Sequence, residues 1–203
     1  MLNPTGIYVY KMTVDNGGAP CVYRNMLSLA ICKPKIRSSA SKGSLIFGFG
    51  DKRLKGRLIY AAVVTKKIAA DGKSPDLYYS DDRFRGRPDR IYRNVGGNPE
   101  LRPGARFHTK SDESLKDAGE NFGKSDVLLS RDFYYFGKEA TDIDRVKFPA
   151  IAKMLDGLRQ GHRVNHRPGL RGELLKLMRE VWRKPKRKNG EPTDKDTSCR
   201  CNT

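Results

Sequence analysis

One short segment of the sequence groups three cations with a cysteine: Cys32-Lys33-Pro34-Lys35-Ile36-Arg37. Neighbouring positive charge lowers the pKa of a thiol, and the thiolate is the form that acts as a nucleophile. No histidine lies near Cys32 in the sequence, so a buried cysteine at the end of an apolar run is the alternative interpretation. Lys33 and Arg37 are also candidates for phosphate contacts.

A second segment, Asp15-Asn16-Gly17-Gly18, consists of turn-forming residues. Backbone N–H groups in such a turn can bind a phosphate or meet a base edge, so Asn16, Gly17 and Gly18 are candidate binding residues. Asp15 is a candidate acid or base. A plain turn between strands would use the same residue types, and no G-x-G-x-x-G or Walker pattern indicates a known nucleotide fold.

A third segment, Tyr78-Tyr79-Ser80-Asp81-Asp82-Arg83-Phe84, combines aromatic rings with carboxylates. A flipped base needs a ring to stack on and hydrogen bonds to its Watson–Crick edge. Tyr79 and Phe84 could supply the ring, and Asp82 could accept from an exocyclic amine or act as an acid or base. The alternative is that the aromatic residues belong to the core and that Asp82 and Arg83 are surface ions.

Arginine is concentrated between residues 83 and 106, where the chain carries seven. The guanidinium group binds phosphate through two parallel hydrogen bonds, which favours arginine at nucleic-acid contacts. Solvated arginines in a loop would give the same pattern. The candidates for backbone contacts in this stretch are Arg83, Arg85, Arg87 and Arg93.

Two groups of metal-ligand residue types lack the spacing of a metal site. His162 and His166 are separated by residues that include no glutamate, and Pro168-Gly169 would break a helix there. Cys199 and Cys201 lie in a polar segment with no other cysteine or histidine close by. We therefore predict neither a metal nor a cofactor.

The elements that must position these residues follow from the apolar pattern. Short runs of β-branched and aromatic residues predict strands at 7–12, 26–32, 44–50, 57–65, 89–92 and 126–130, and a strand or turn at 131–137. The segment at 26–32 could also be a short helix. Residues 69–123 are rich in Gly, Pro, Asp and Arg, which is typical of a long functional loop. Apolar residues at helical spacing predict helices at 148–158 and 170–182.

Charge is the strongest compositional signal. The 203 residues contain 41 Lys and Arg against 23 Asp and Glu, a formal net charge of +18. Such an excess favours association with polyanions, because each neutralised phosphate releases condensed counterions. No apolar run is long enough to span a membrane, and the N-terminal residues do not resemble a signal peptide. We expect a cytoplasmic protein whose partner is nucleic acid, with DNA favoured over RNA, and not a membrane.

Two sets of motifs resemble known families. Lys42-Gly43-Ser44-Leu45-Ile46-Phe47-Gly48, the strand at 58–64 and the segment at 78–84 together resemble the PUA-like barrels, including the EVE and ASCH groups. Residues 8–49, with the segments at 15–21 and 30–37, resemble more closely the second nucleotide-modification-associated domain family, over about residues 5–165. The resemblance implies a system that chemically modifies DNA bases. Gly43-Ser44 replaces the Gly-Asp expected at one turn.

These observations together predict an α+β protein. We expect a PUA-like, partly closed β-barrel at residues 5–147, a C-terminal helical segment at 148–182 and a basic, disordered tail at 183–203. The predicted function is binding of nucleic acid that carries a modified or flipped base, in a DNA-modification or defence system whose other proteins could be partners. The alternatives are an enzyme acting on a modified nucleotide, and a basic structural subunit without base preference.

Overall fold

The computed structural model describes residues 3–70, 76–108, 117–159, 161–183 and 190–194. Among these residues, the first two strands are joined by a turn. The first helix begins at a proline, whose missing N–H would have no intrahelical partner at that position. The elements of the first half are β1 Ile7–Met12, β2 Cys21–Tyr23, β3 Met26–Leu29, α1 Pro34–Ser39, β4 Leu45–Gly50, β5 Leu58–Val63, β6 Lys66–Ile68 and α2 Leu77–Ser80.

The second half begins with a hairpin and ends in two helices. Its elements are β7 Tyr92–Val95, β8 Asn98–Leu101, β9 Val127–Ser130, β10 Asp132–Tyr135, α3 Pro149–Gly157, β11 His162–Arg163 and α4 Pro168–Trp182. No helix among the described residues is long and apolar enough to cross a membrane.

The strands form two open sheets and a separate ribbon. The larger sheet has the order β10-β5-β4-β1-β11, with β1 and β4 parallel, and the smaller has the order β2-β3-β9-β6. β9 and β10 are separated by Arg131 alone, so one nearly continuous segment joins the two sheets. The described strands close no barrel, so the predicted PUA-like barrel is not confirmed, although the predicted α+β class is.

The apolar residues form two clusters that correspond to the two sheets. The first contains β1, β4 and β5 together with the inner faces of α3 and α4, where Ile151, Leu174 and Val181 are almost completely buried. Every residue of β4 and β5 is buried, as their unbroken apolar pattern predicts. The second cluster lies under the arginine-rich stretch and contains Tyr79, Tyr92 and Phe122.

The arginine-rich stretch contains more regular structure than the single strand predicted at 89–92, of which only Tyr92 lies in a strand, β7. Residues 69–123 include α2, the β7–β8 hairpin and two short 3₁₀ turns, one of them at Asp82–Phe84. Its buried aromatic side chains supply much of the second cluster. The stretch is therefore a folded layer over the smaller sheet in all the parts that the structure describes.

The segment predicted as a disordered tail includes residues that pack against the protein. The Gly190 N–H donates to the Tyr135 carbonyl (2.7 Å), and the Lys138 N–H donates to the Glu191 carbonyl (2.8 Å). Asp194 forms an ion pair with Arg53 at 2.7 Å. Residues 190–194 thus continue the fold past α4, whereas 184–189 and 195–203 lie outside the described residues.

We predict that Gly190→Ala lowers the free energy of unfolding by about 1–3 kcal/mol, the usual cost of overpacking. A Cβ atom at this position would overlap the backbone carbonyl of Phe136, which cannot move without disturbing β10. Gly172→Ala is the matched control, because Gly172 lies within α4 and a Cβ there would meet nothing within 4 Å. The control should raise stability by about 0.5–1 kcal/mol through helix propensity.

Urea denaturation of both variants checks the prediction. If Gly190→Ala were as stable as the unaltered protein, residues 190–194 would not be packed in solution as described.

Candidate functional site

A cleft of about 550 Å³ lies between the turn that follows α2 and the loop that follows β8. Its lining is strongly cationic. Asp82 is the one carboxylate among the described residues that line it, and the five arginines that line it are Arg85, Arg87, Arg90, Arg102 and Arg106.

Two of these arginines are held side by side by backbone carbonyls. Arg90 Nε donates to the Tyr79 carbonyl at 2.8 Å, and Arg102 donates to the same oxygen at 2.6 Å. Arg102 Nε also donates to the Tyr92 carbonyl at 2.7 Å. Partial burial lowers the pKa of Arg90, and the positive charge of Arg102 lowers it further. An anion between the two guanidinium groups would relieve this repulsion.

Two other exposed arginines of the stretch form ion pairs with carboxylates. Arg83 forms an ion pair with Asp81 at 2.5 Å, and Arg93 pairs with Glu100 across the β7–β8 hairpin at 3.1 Å. Neither lines the cleft, whereas the exposed Arg85 does. Ion pairs between exposed side chains contribute little to stability.

Arg37 is a structural residue, contrary to the predicted phosphate contact. Its side chain is fully buried and forms an ion pair with Asp117 at 2.8 Å. The guanidinium also donates to the backbone carbonyls of Cys32, Asp117, Lys124 and Asp126 at 2.6–3.0 Å. All of its donors are therefore directed at protein acceptors, and phosphate cannot reach them.

Arg87 is also turned inward, although it borders the cleft. It is 6% exposed, donates to the Tyr78 hydroxyl at 2.8 Å and hydrogen-bonds Ser28. Asp89, itself completely buried, is the carboxylate that faces it at 3.5 Å. The predicted backbone contact of Arg87 is thus replaced by a buried network that joins α2 to the smaller sheet.

The predicted stacking residues are part of the core. The Tyr79 hydroxyl donates to the Ala30 carbonyl at 2.9 Å, and its ring packs against Tyr92 and Phe122 with centroid distances of 5.3 and 5.7 Å. Phe84 packs on Tyr78 at 4.8 Å. Both side chains are at most 5% exposed, so neither offers a face to a base. The alternative interpretation of these aromatic residues was the correct one.

The Asp15–Gly18 turn is covered by other parts of the chain. The Gly18 N–H donates to the side-chain oxygen of Asn16 at 3.1 Å, and Gly18 lies against the Phe107 ring. Gly17 lies against Pro192. The Gly18 N–H is therefore already used within the turn and is not available to a phosphate.

Asp15 is almost completely buried beneath the 190–194 segment. Its carboxylate accepts from the Tyr135 hydroxyl at 2.6 Å and from the backbone and hydroxyl of Thr193 at 3.0 Å. Burial raises the pKa of Asp15, and these hydrogen bonds oppose the shift only in part. Asp15 therefore fastens the C-terminal segment.

The cysteine segment contains an arrangement that sequence reasoning missed. Cys32 is disulfide-bonded, and its sulfur atom lies 3.3 Å from Nε2 of His108. Cys199 and Cys201 lie outside the described residues. Lys33 extends its ammonium group over the Tyr10 ring, 5.2 Å from the centroid. Because His108 is 76 positions away from Cys32, no local pattern could have indicated their contact.

The comparison with family models identifies the chain. The model described as nucleotide modification associated domain 2 matches residues 4–198, nearly the whole length. The chain belongs to this family. No curated protein and no solved structure matches it significantly. The match confirms the predicted family and extends through α4 and the packed segment, both of which are parts of the domain.

Among the described residues, no group of three or more His, Cys, Asp or Glu side chains could hold a metal ion.

We predict that Arg37→Lys lowers the free energy of unfolding by about 3–5 kcal/mol, because it leaves Asp117 and several carbonyls without their partners in the interior. A lysine cannot reproduce the planar fork of donors. Arg93→Lys, at an exposed pair, is the control and should change stability by less than about 0.5 kcal/mol. Thermal or urea unfolding measures both; equal effects would contradict the structural role of Arg37.

The raised pKa of Asp15 predicts a pH dependence with a definite sign. Because the folded state binds this proton more tightly than the unfolded state does, the Asp15 contribution to stability is greatest below its ordinary pKa. It is lost as the pH rises through the folded-state pKa. The stability of the unaltered protein relative to Asp15→Asn should therefore fall as the pH rises above the ordinary aspartate pKa of about 3.9. Urea denaturation at several pH values tests this, and a difference that stays constant or grows would contradict it.

Proposed function

We propose that the protein binds nucleic acid, with phosphates held in the arginine cleft, and that it does so within a nucleotide-modification system. The observation that carries the proposal is the Arg90–Arg102 pair, two guanidinium groups fixed side by side in a cleft with a single carboxylate. Backbone carbonyls accept some of the hydrogen bonds that the two guanidinium groups can donate, and they thereby fix the direction of both groups. Such preorganisation favours a divalent or repeated anion, and phosphate matches the fork geometry of arginine.

The charge of the whole chain supports the same function. A net charge of +18 raises the local concentration of any polyanion, and the cleft gives that attraction a defined place. The family name supports a nucleotide as the chemical context. DNA and other proteins of a modification or defence system are the partners that we propose.

Asp82 is the residue that we propose for base preference. It is exposed, it lines the cleft, and a carboxylate can accept from the exocyclic amine of a base. Of the residues predicted to form the base pocket, Asp82 is kept in this proposal. Tyr79 and Phe84 are not, because their side chains are buried. Asp82→Asn should reduce the preference between modified and ordinary bases and leave the salt dependence unchanged.

We predict that binding of a labelled oligonucleotide weakens with salt, with a slope of log K against log salt near −4 to −5 if about five phosphates are neutralised. Arg85→Gln should reduce the magnitude of the slope by about 0.9, because it removes one exposed cation from the cleft. Arg145→Gln makes the same change of charge at an exposed position that lines a different cleft. This control should leave the slope nearly unchanged.

Fluorescence anisotropy between 50 and 300 mM salt provides the measurement. A slope near zero would exclude phosphate binding altogether. Equal effects of the two substitutions would show that binding depends on net charge and has no specific site in the arginine cleft.

A further inference from the structure

Four side chains lie together at the second apolar cluster: those of Cys32, His108, Asp117 and Tyr92. None of them lines the arginine cleft. Nε2 of His108 is 3.3 Å from the Cys32 sulfur. The other ring nitrogen, Nδ1, is 3.2 Å from the Tyr92 hydroxyl and 3.7 Å from the Asp117 carboxylate. None of the four side chains is more than 7% exposed. A sulfur, an imidazole and a group that orients the imidazole are thus arranged in series.

The carboxylate of this series is itself fixed. One oxygen of Asp117 accepts from Arg37 at 2.8 Å, and the other accepts from the Tyr92 hydroxyl at 3.3 Å. Arg37 also donates to the carbonyl of Cys32 at 2.7 Å, so a single guanidinium positions both ends of the series. Activated nucleophiles in enzymes show this order: a nucleophile, a base, and a third group that holds the base.

The backbone at both reactive positions is in the left-handed region, which non-glycine residues seldom adopt. The φ angles are 55° at Cys32, 49° at Lys33 and 53° at His108. Non-glycine residues in this region persist only where surrounding contacts hold them, and such residues concentrate at functional sites.

We propose that Cys32 is a reactive thiol, that His108 activates it with Asp117 and Tyr92 as positioning residues, and that the disulfide of Cys32 is its resting, oxidised form. The reductant that opens it is a dithiol. One reductant thiolate attacks the disulfide, the S–S bond breaks, and the other sulfur leaves with the bonding electron pair. The second reductant thiol then displaces the sulfur that was attacked, so the disulfide gains two electrons and two protons while the dithiol becomes a disulfide.

After reduction, the thiol proton of Cys32 can pass to Nε2 of His108, because Tyr92 and Asp117 are placed to hold the ring from Nδ1. The resulting thiolate is a nucleophile toward soft electrophiles such as alkyl halides or activated carbons. The proposal is independent of the arginine cleft, and the test below uses no nucleic acid, so either proposal can fail without the other.

The test is the rate of alkylation by iodoacetamide, measured on the full chain before and after reduction with dithiothreitol, with each cysteine resolved by mass spectrometry. Cys32 should be unlabelled before reduction. After reduction, the pH at which the alkylation rate of Cys32 is half-maximal should lie well below the ordinary thiol pKa of about 8.5. At pH 7 this rate should exceed that of N-acetylcysteine at least tenfold. Cys21 is an internal reference, because burial raises the pKa of its thiol and should make it slow.

Substitution of the histidine separates activation from mere packing. His108→Gln should slow alkylation of Cys32 at least tenfold at pH 7 and return the midpoint to the ordinary thiol range. His166→Gln removes a half-buried histidine that contacts the Ile7 carbonyl, and it should leave the rate unchanged. Tyr92→Phe should reduce the rate less than His108→Gln does, because Asp117 still faces the ring.

Three outcomes would overturn the proposal. Reduced Cys32 could be unreactive in the folded protein, it could have the pH profile of an ordinary thiol, or His108→Gln could leave its rate unchanged. Thermal unfolding shows whether His108→Gln is folded. If it is not, the pH profile of the unaltered protein decides the question alone.

Discussion

The interaction on which most of this structure depends is the burial of the Arg37 guanidinium. A charge without solvent is costly unless it is paired and fully hydrogen-bonded, and here an aspartate and four backbone carbonyls meet those requirements. The contacts bring the start of α1 together with residues 117–126, which immediately precede β9. The second apolar cluster, the position of Asp117 and the contact between His108 and Cys32 all follow from that arrangement.

The arginines of this chain divide into two populations with opposite roles. Arg37 and Arg87 face inward and are neutralised by Asp117 and Asp89, whereas Arg85 and its neighbours in the cleft carry the charge that a polyanion would meet. The excess of positive charge is therefore expressed mainly at the surface. A count of basic residues predicts a class of partner, but it does not identify which arginines are exposed to that partner.

The spacing of apolar residues was sufficient to predict the strands that are apolar along their length and the helices that have one apolar face. β1, β4 and β5 are apolar along their length, and the helices α3 and α4 show a single apolar face, so periodicity located all five. The hairpin β7–β8 and the packing of residues 190–194 escaped prediction because their sequences are polar and their partners are remote. The roles of Arg37 and Tyr79 were mistaken for the same reason, since Asp117 is 80 positions from Arg37 and the Ala30 carbonyl 49 from Tyr79.

The hydrogen bonds between Asp15 and Thr193 join residues 178 positions apart. During synthesis Asp15 leaves the ribosome first, and the Thr193 donors become available only after the residues between them have been synthesised. Until then the Asp15 carboxylate lacks these two hydrogen bonds, although β1 and β4 have already been synthesised. Closure of the turn after β1 is therefore a late event when the chain folds during synthesis, because it needs residues 190–194.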